Sequence, residues 1–217
     1  MSTKGFVICL CDVTGLFAQP WVEAGYTAIL VDPQHTASGD ERVLKFKGTI
    51  EDAMPFLDIV IQTGAVVFVM GFPPCTDVVV SGALWWEEKR EADPYFQARA
   101  AIVAQQCKSL GQLSGAPWAF ENPVSAFSSI FGPPQYSFHP YHYGGYCEGD
   151  QYFKTTCLWT SDDFIMPQPR ECGSLGEPDR RIHEASPGED RANFRSATPS
   201  GFARALFLAN CPDFRRF

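Results

Sequence analysis

Two short segments of this 217-residue chain carry side chains suited to covalent chemistry. The first is Gly71, Phe72, Pro73, Pro74, Cys75, directly behind the apolar, β-branched run at 65–70. Prolines fix φ and push the residue before them into extended geometry, so the pair stops a strand and holds Cys75 on a stiff loop. A thiol on such a loop is a candidate nucleophile, reactive as the thiolate. An arbitrary cysteine is more often a small buried hydrophobe, and position is what separates Cys75 from the others. The second segment is Glu121, Asn122, Pro123, behind the apolar run at 118–120. It repeats the first arrangement of strand, polar side chain and proline. Open α/β sheets place their chemistry at the carboxyl ends of strands, so the two loops are expected to face one another and pair a thiol with a carboxylic acid.

The elements needed to position these loops are legible around them. Residues 6–11 form a first buried strand ended by Asp12 and a turn at Thr14 and Gly15. A short helix with Pro20 in its first turn follows, closed by Gly25 before a second strand at 27–31 that ends in Asp32. Strand, glycine turn, helix, strand and terminal acid is the order of a nucleotide-type βαβ unit, although no G-x-G-x-x-G is present. Residues 35–47 read as loop with a short strand, and Gly48, Thr49 open a helix with Thr49 or Glu51 near its cap. The longest helix is expected over 95–113, where apolar residues recur at helical spacing. Residues 78–86 read as a substrate-side loop leading into a helix, 132–149 as aromatic and turn-rich, and 152–159 as alternating in the manner of a strand. Residues 161–195 form an irregular excursion or lid, and cap chemistry at Thr198 opens a final apolar helix. The sum is one α/β domain over 1–217, a Rossmann-like, mostly parallel sheet flanked by helices.

Composition narrows the function classes. A formal net charge of −8 argues against a broad, non-specific grip on nucleic acid, which is driven by Lys and Arg. No apolar run approaches the roughly 20 residues of a membrane span, and no secretory signal precedes the first strand. A cytoplasmic protein with no membrane partner is therefore expected. The eight cysteines then read as free thiols. Cys147, Cys157, Cys172 and His183 lack the close spacing of a zinc site, so no metal is expected. Trp85, Trp86 and the cluster of His139, Tyr141, His142 and Tyr143 are placed either to stack on a base or to fill the core.

In order and content, these motifs resemble the cytosine-C5 methyltransferase family. Asp12, Thr14 and Gly15, followed by Pro20, Trp21 and Ala24, Gly25, Tyr26, look like its S-adenosylmethionine (SAM) motif, and Asp32 matches its ribose-binding acid. Gly48, Thr49 and Ile50 stand at the adenine side, with Asp52 able to substitute for the acid that Thr49 replaces. Pro73, Pro74, Cys75 with Ser81, Gly82 look like the nucleophile loop, and Glu121, Asn122, Pro123 like the glutamate motif. The resemblance implies a Rossmann-like SAM-dependent methyltransferase fold with Cys75, Glu121 and Asn122 as catalytic residues. SAM is the implied cofactor, bound by Asp12, Thr14, Gly15, Asp32, Thr49, Ile50, Asp52, Gly71 and Pro73. Substrate contacts are implied for Pro74, Ser81, Pro123, Tyr143, Lys154 and Thr155.

The resemblance departs where the family reads DNA. The expected Gln-x-Arg-x-Arg motif is absent, with Tyr152, Phe153, Lys154, Thr155, Thr156 in its place, and only 161–195 stands where a target-recognition region belongs. Residues 146–193 hold ten acids against five bases, the opposite sign from a base-reading module. Cytosine in DNA, flipped out or single-stranded, is the implied substrate. A free cytidine nucleotide, its phosphate held by Lys154, Arg180 or Arg181, is the alternative. A methyltransferase-like protein that binds SAM or a partner without turnover is the alternative of another class.

Overall fold

In strand β1 (Phe6–Leu10), Val7 and Cys9 pack into one core, Ile8 and Leu10 into another, and all four are fully buried. A strand buried on both faces requires a helical layer on each. The computed structural model, which describes residues 3–36, 40–184, 186 and 191–214, has that three-layer form. After β1 come α1 (Gln19–Glu23), β2 (Thr27–Val31), β3 (Val43–Phe46), α2 (Ile50–Gln62) and β4 (Val66–Gly71). A 3₁₀ turn at Val80–Trp85 leads into α3 (Trp86–Ala92), then α4 (Phe96–Ser114), β5 (Trp118–Asn122), α5 (Phe127–Phe131), β6 (Tyr136–Phe138) and β7 (Thr156–Thr160). The chain closes with α6 (Arg181–Glu184), α7 (Arg191–Ser196) and α8 (Ser200–Asn210).

One seven-stranded sheet has the order β3-β2-β1-β4-β5-β7-β6. The strands from β3 to β5 are parallel; β7 pairs antiparallel with β5 and with β6. This is an α/β, Rossmann-like architecture. The strand order reverses between β1 and β4, and the crevice outside their carboxyl ends is where such sheets take ligands. α1 and α8 cover one face, where Trp21 meets Tyr26 and Phe207 edge-on with ring centroids 5.5 and 5.1 Å apart. α2 and α4 cover the other through Leu57, Ala104, Cys107 and Leu110. Each large side chain so buried contributes roughly 1.5–3 kcal/mol. α8 is pinned at its start by Asp150, whose carboxylate accepts from the Gly201 N–H at 2.5 Å.

Several boundaries differ from the sequence expectation. β1 stops at Leu10 because Cys11 adopts a left-handed φ of 58°, turning the chain toward Asp12 while its N–H still bonds the Val31 carbonyl. The strand expected over 152–159 begins at Thr156, Tyr152 instead bridging to Asp179. Its antiparallel partner β6 lies in the stretch read as turn-rich; three residues, two of them exposed, leave no periodicity to detect. No helix among the described residues is long and apolar enough to cross a membrane.

Candidate active site

The polar loop-forming residues after β1, β2, β4 and β5 gather at the carboxyl edge of the sheet. β4 and β5 are direct neighbours with Gly71 opposite Phe120, so the loops that follow start side by side. They are then laced together: Val80 N–H donates to the Val124 carbonyl at 3.0 Å, and Ala126 N–H to the Val78 carbonyl at 2.9 Å. Between them the buried Asn122 donates its side-chain N–H to the Pro73 carbonyl at 2.9 Å. Proline explains the need for this bond, since a carbonyl in a Pro-Pro turn has few backbone donors within reach. Asn122 therefore ties the cysteine loop to the glutamate loop.

Cys75 is partly accessible, and its carbonyl accepts from the N–H groups of Val78 and Val79, which turns the loop around it. Burial raises its thiol above the ordinary value, the negative charge of Glu121 raises it further, and the positive charges of Lys154 and Arg195 act the other way. Burial likewise raises Glu121, opposed by Lys154. Glu121 Oε1 is buried without a hydrogen-bond partner, and Lys154 Nζ stands off at 3.9 Å. Two groups that penalise each other's negative charge share a site that holds one such charge comfortably. Burial therefore favours the neutral, protonated form of both groups, with Lys154 opposing it at each. Lys154 is itself buried, at 7 % exposure.

Asp12 and Asp32 end the first two strands, both buried. Asp12 Oδ1 accepts from the backbone N–H groups of Thr14 and Gly15 at 3.0 and 2.8 Å and from the Thr14 hydroxyl at 3.1 Å, while Oδ2 is buried and unpartnered. Gly15 sits at φ +70°, and a Cβ there would lie 2.9 Å from Leu30, so this turn accepts no side chain without strain. A tight turn, an orphaned acid oxygen and a second acid one strand away fit an adenosyl ligand with an amino-acid tail.

Other sequence candidates take different places. Thr49 and Asp52 form a reciprocal capping box at the start of α2, Asp52 accepting the Thr49 N–H at 2.9 Å and hydroxyl at 2.8 Å; these bonds account for both residues without a ligand. Ile50 is core. Gly71 is buried, and a Cβ on it would come within 2.6 Å of the Cys107 sulfur, so sheet-to-helix packing explains the glycine. Tyr143 is corrected from a substrate contact to a core residue, fully buried with its hydroxyl donating to the Pro167 carbonyl at 3.0 Å. Arg181 is engaged by Asp179, its Nε–H lying 2.8 Å from both carboxylate oxygens, and so is not free for a phosphate. Pro74, Ser81 and Thr155 are exposed and Pro123 is half-buried. Trp85 is 63 % exposed, whereas Trp86 is half-buried.

The 161–195 excursion returns to the site, a contribution the sequence did not assign to particular residues. Asn193 Nδ2 lies 3.5 Å from Gln34 Oε1 in the turn after β2, and Arg195 is the cation that acts on Cys75 from α7. Residues 185 and 187–190 of this segment, and the His183 side chain, lie outside the described residues. Among the described residues no cluster of three or more His, Cys, Asp or Glu is placed to hold a metal ion. A cavity of about 300 Å³ lined by Trp118, Phe120, Phe131 and Trp159 opens near the start of β5, at the opposite edge of the sheet from Cys75.

Comparison with protein-family models and with curated proteins finds no match to this chain.

The Asn122 bond makes a first prediction. Asn122→Ala leaves the Pro73 carbonyl without its buried donor, at a cost of about 1–3 kcal/mol in chemical denaturation. Because Cys75 and Glu121 then lose their common anchor, the rate of Cys75 alkylation at fixed pH is expected to change as well. A variant with that stability loss and an unaltered alkylation rate would show that the bond holds the fold and positions nothing.

Proposed function

We propose that this chain is a SAM-dependent methyltransferase acting at C5 of cytosine, with Cys75 as nucleophile and Glu121 as acid. The observation that carries the reading is the buried Asn122–Pro73 hydrogen bond, which sets a loop thiol beside a protonation-prone carboxyl, its Oε1 without a hydrogen bond and 3.9 Å from Lys154 Nζ, at the edge of the sheet that takes ligands. Carbon 5 of a cytosine ring is a weak nucleophile. Addition of the Cys75 thiolate to C6 makes C5 part of an enamine, and Glu121 promotes the addition by giving its proton, or a strong hydrogen bond, to ring N3. When bound, SAM supplies an electrophilic methyl group. Loss of the C5 proton to a base or water then expels Cys75 as thiolate. Asp12, Gly15 and Asp32 bind and orient the cofactor, and Lys154 offsets the negative charge that Cys75 and Glu121 share.

A second substrate reading, a free cytidine nucleotide, is favoured by α7. Its contact with Gln34 and the charge of Arg195 near Cys75 bring the acidic excursion across the cleft, which leaves less room for a duplex and supplies one cation for one phosphate. The deciding experiment offers labelled SAM with duplex DNA, single-stranded DNA and free cytidine nucleotides side by side. Label in DNA supports the polymer reading, and label in nucleotide alone supports the second. Silence on all three with SAM bound overturns catalysis on cytosine in favour of a regulatory protein or another target.

A further inference from the structure

His35 is a polar residue near the cleft that neither motif nor mechanism uses. The turn after β2 is built on Asp32: its side chain accepts from Gln34 N–H at 2.8 Å and its carbonyl from His35 N–H at 3.2 Å. That turn folds His35 inward, to 3 % exposure. One ring N–H donates to the carbonyl of Asp12 at the end of β1, leaving Nε2 buried and without a partner. Asp12 Oδ2 is in the same condition. Buried polar atoms left unpaired are rare and costly. Here two occur on residues near enough for each to act on the other's charge, at the ends of adjacent strands.

The chemistry of the pair selects the occupant. Burial holds His35 below its ordinary pKa, so the ring is neutral at neutral pH, with its proton on the nitrogen facing the Asp12 carbonyl and a lone pair on Nε2. Nε2 therefore needs a donor. Asp32 and Asp12 also accept, yet these side chains form no metal-holding group. A neutral ligand portion with two adjacent O–H donors, such as a ribose diol, meets the two acceptors that the turn after β2 brings together, Asp32 and His35, without importing charge.

We propose that His35 is a cofactor-binding residue that accepts a hydrogen bond from one ribose hydroxyl at Nε2 while Asp32 takes the other. The proposal rests on the methyltransferase reading and assigns a residue within its cofactor site. The test is calorimetric binding of S-adenosylhomocysteine and its 2′-deoxy and 3′-deoxy analogues to the wild-type chain and to His35→Phe. The wild type should lose about tenfold in affinity for each missing hydroxyl. His35→Phe should bind the parent about tenfold more weakly and cease to distinguish it from one of the two analogues, while still rejecting the other. Unchanged discrimination of both hydroxyls by a folded His35→Phe overturns the assignment and leaves the cofactor reading standing; a wild type that binds none of the three ligands sinks both.

A measurement on the wild type alone serves if His35→Phe does not fold. Asp32, Lys45 and Asp12 are the charged groups facing His35. As pH falls through the lowered His35 value, protonation turns Nε2 from acceptor into donor. The preference for one hydroxyl should shrink over that fall while the other persists, and two preferences that fall together or not at all overturn the proposal.

Discussion

Cys75→Ala is expected to abolish methyl transfer, by about 10⁴-fold or more, while S-adenosylhomocysteine binds with unchanged affinity. The two effects separate because Cys75 follows β4, whereas Asp12 and Asp32 end β1 and β2. The sharper form of the experiment uses a cytosine carrying fluorine at C5. After Cys75 adds to C6 and C5 takes the methyl group, normal release requires a proton to leave C5. Fluorine cannot leave in its place as a cation, so the covalent adduct stalls. Mass spectrometry of the wild-type chain should show the mass of substrate plus methyl on the peptide containing Cys75, and Cys75→Ala should show none. Cys9, Cys107, Cys157 and Cys211 are buried, while Cys11, Cys147 and Cys172 are partly accessible, so the modified peptide must be mapped rather than counted. An adduct on any of those three would overturn Cys75 as the nucleophile. No adduct with DNA or nucleotide, in a chain that binds the cofactor product, would favour the regulatory alternative.

The part of this site that was legible in the sequence is the part written in local chemistry. Prolines behind apolar runs marked the ends of β4 and β5, and both runs proved to be adjacent parallel strands, so the expected facing of the Cys75 and Glu121 loops follows from the observed sheet. Asp12 and Asp32 were found as strand-terminal acids and are buried there. What remained hidden depends on partners distant in the chain. Nothing near Lys154 in sequence says that Glu121 will be its neighbour. Tyr143 belonged to an aromatic cluster whose chemistry suits a base, but Phe138 and Phe202 claim its ring, at 5.5 and 5.2 Å between centroids. His35 gave no signal at all, since its burial comes from a turn around Asp32 and a carbonyl on another strand. The Thr49 and Asp52 pair shows a different ambiguity: threonine followed three residues later by an acid is a helix cap in any protein, and the cap alone suffices here.

Glu121→Gln is the second variant with a large expected effect, and it separates the two roles of negative charge in the site. Glutamine can donate a hydrogen bond to ring N3 but cannot give up a proton, so turnover should fall by about 10²–10³-fold. Glu121 also raises the Cys75 thiol, and removing its charge should lower that thiol toward its ordinary value. Cys75 in Glu121→Gln is therefore expected to be alkylated faster than in the wild type at the same pH, even as catalysis collapses. A slower alkylation would show that Glu121 activates the thiol as a base, the opposite assignment. The pH dependence carries the same sign. Burial raises Glu121 from 4.5, so the acid form persists above the usual carboxylate range, and activity that depends on it is lost as pH rises through the raised value. A raised carboxyl also stabilises the fold fully below about pH 4.5, and that stability is lost on the same rise, because the unfolded chain ionises more readily than the folded one. Glu121→Gln removes the ionisation, so its denaturation midpoint should fall less than that of the wild type between about pH 5 and pH 8. The wild-type decline in stability should coincide with the alkaline limb of activity. If the two occur at separate pH values, the group that loses its proton in catalysis is not the buried Glu121.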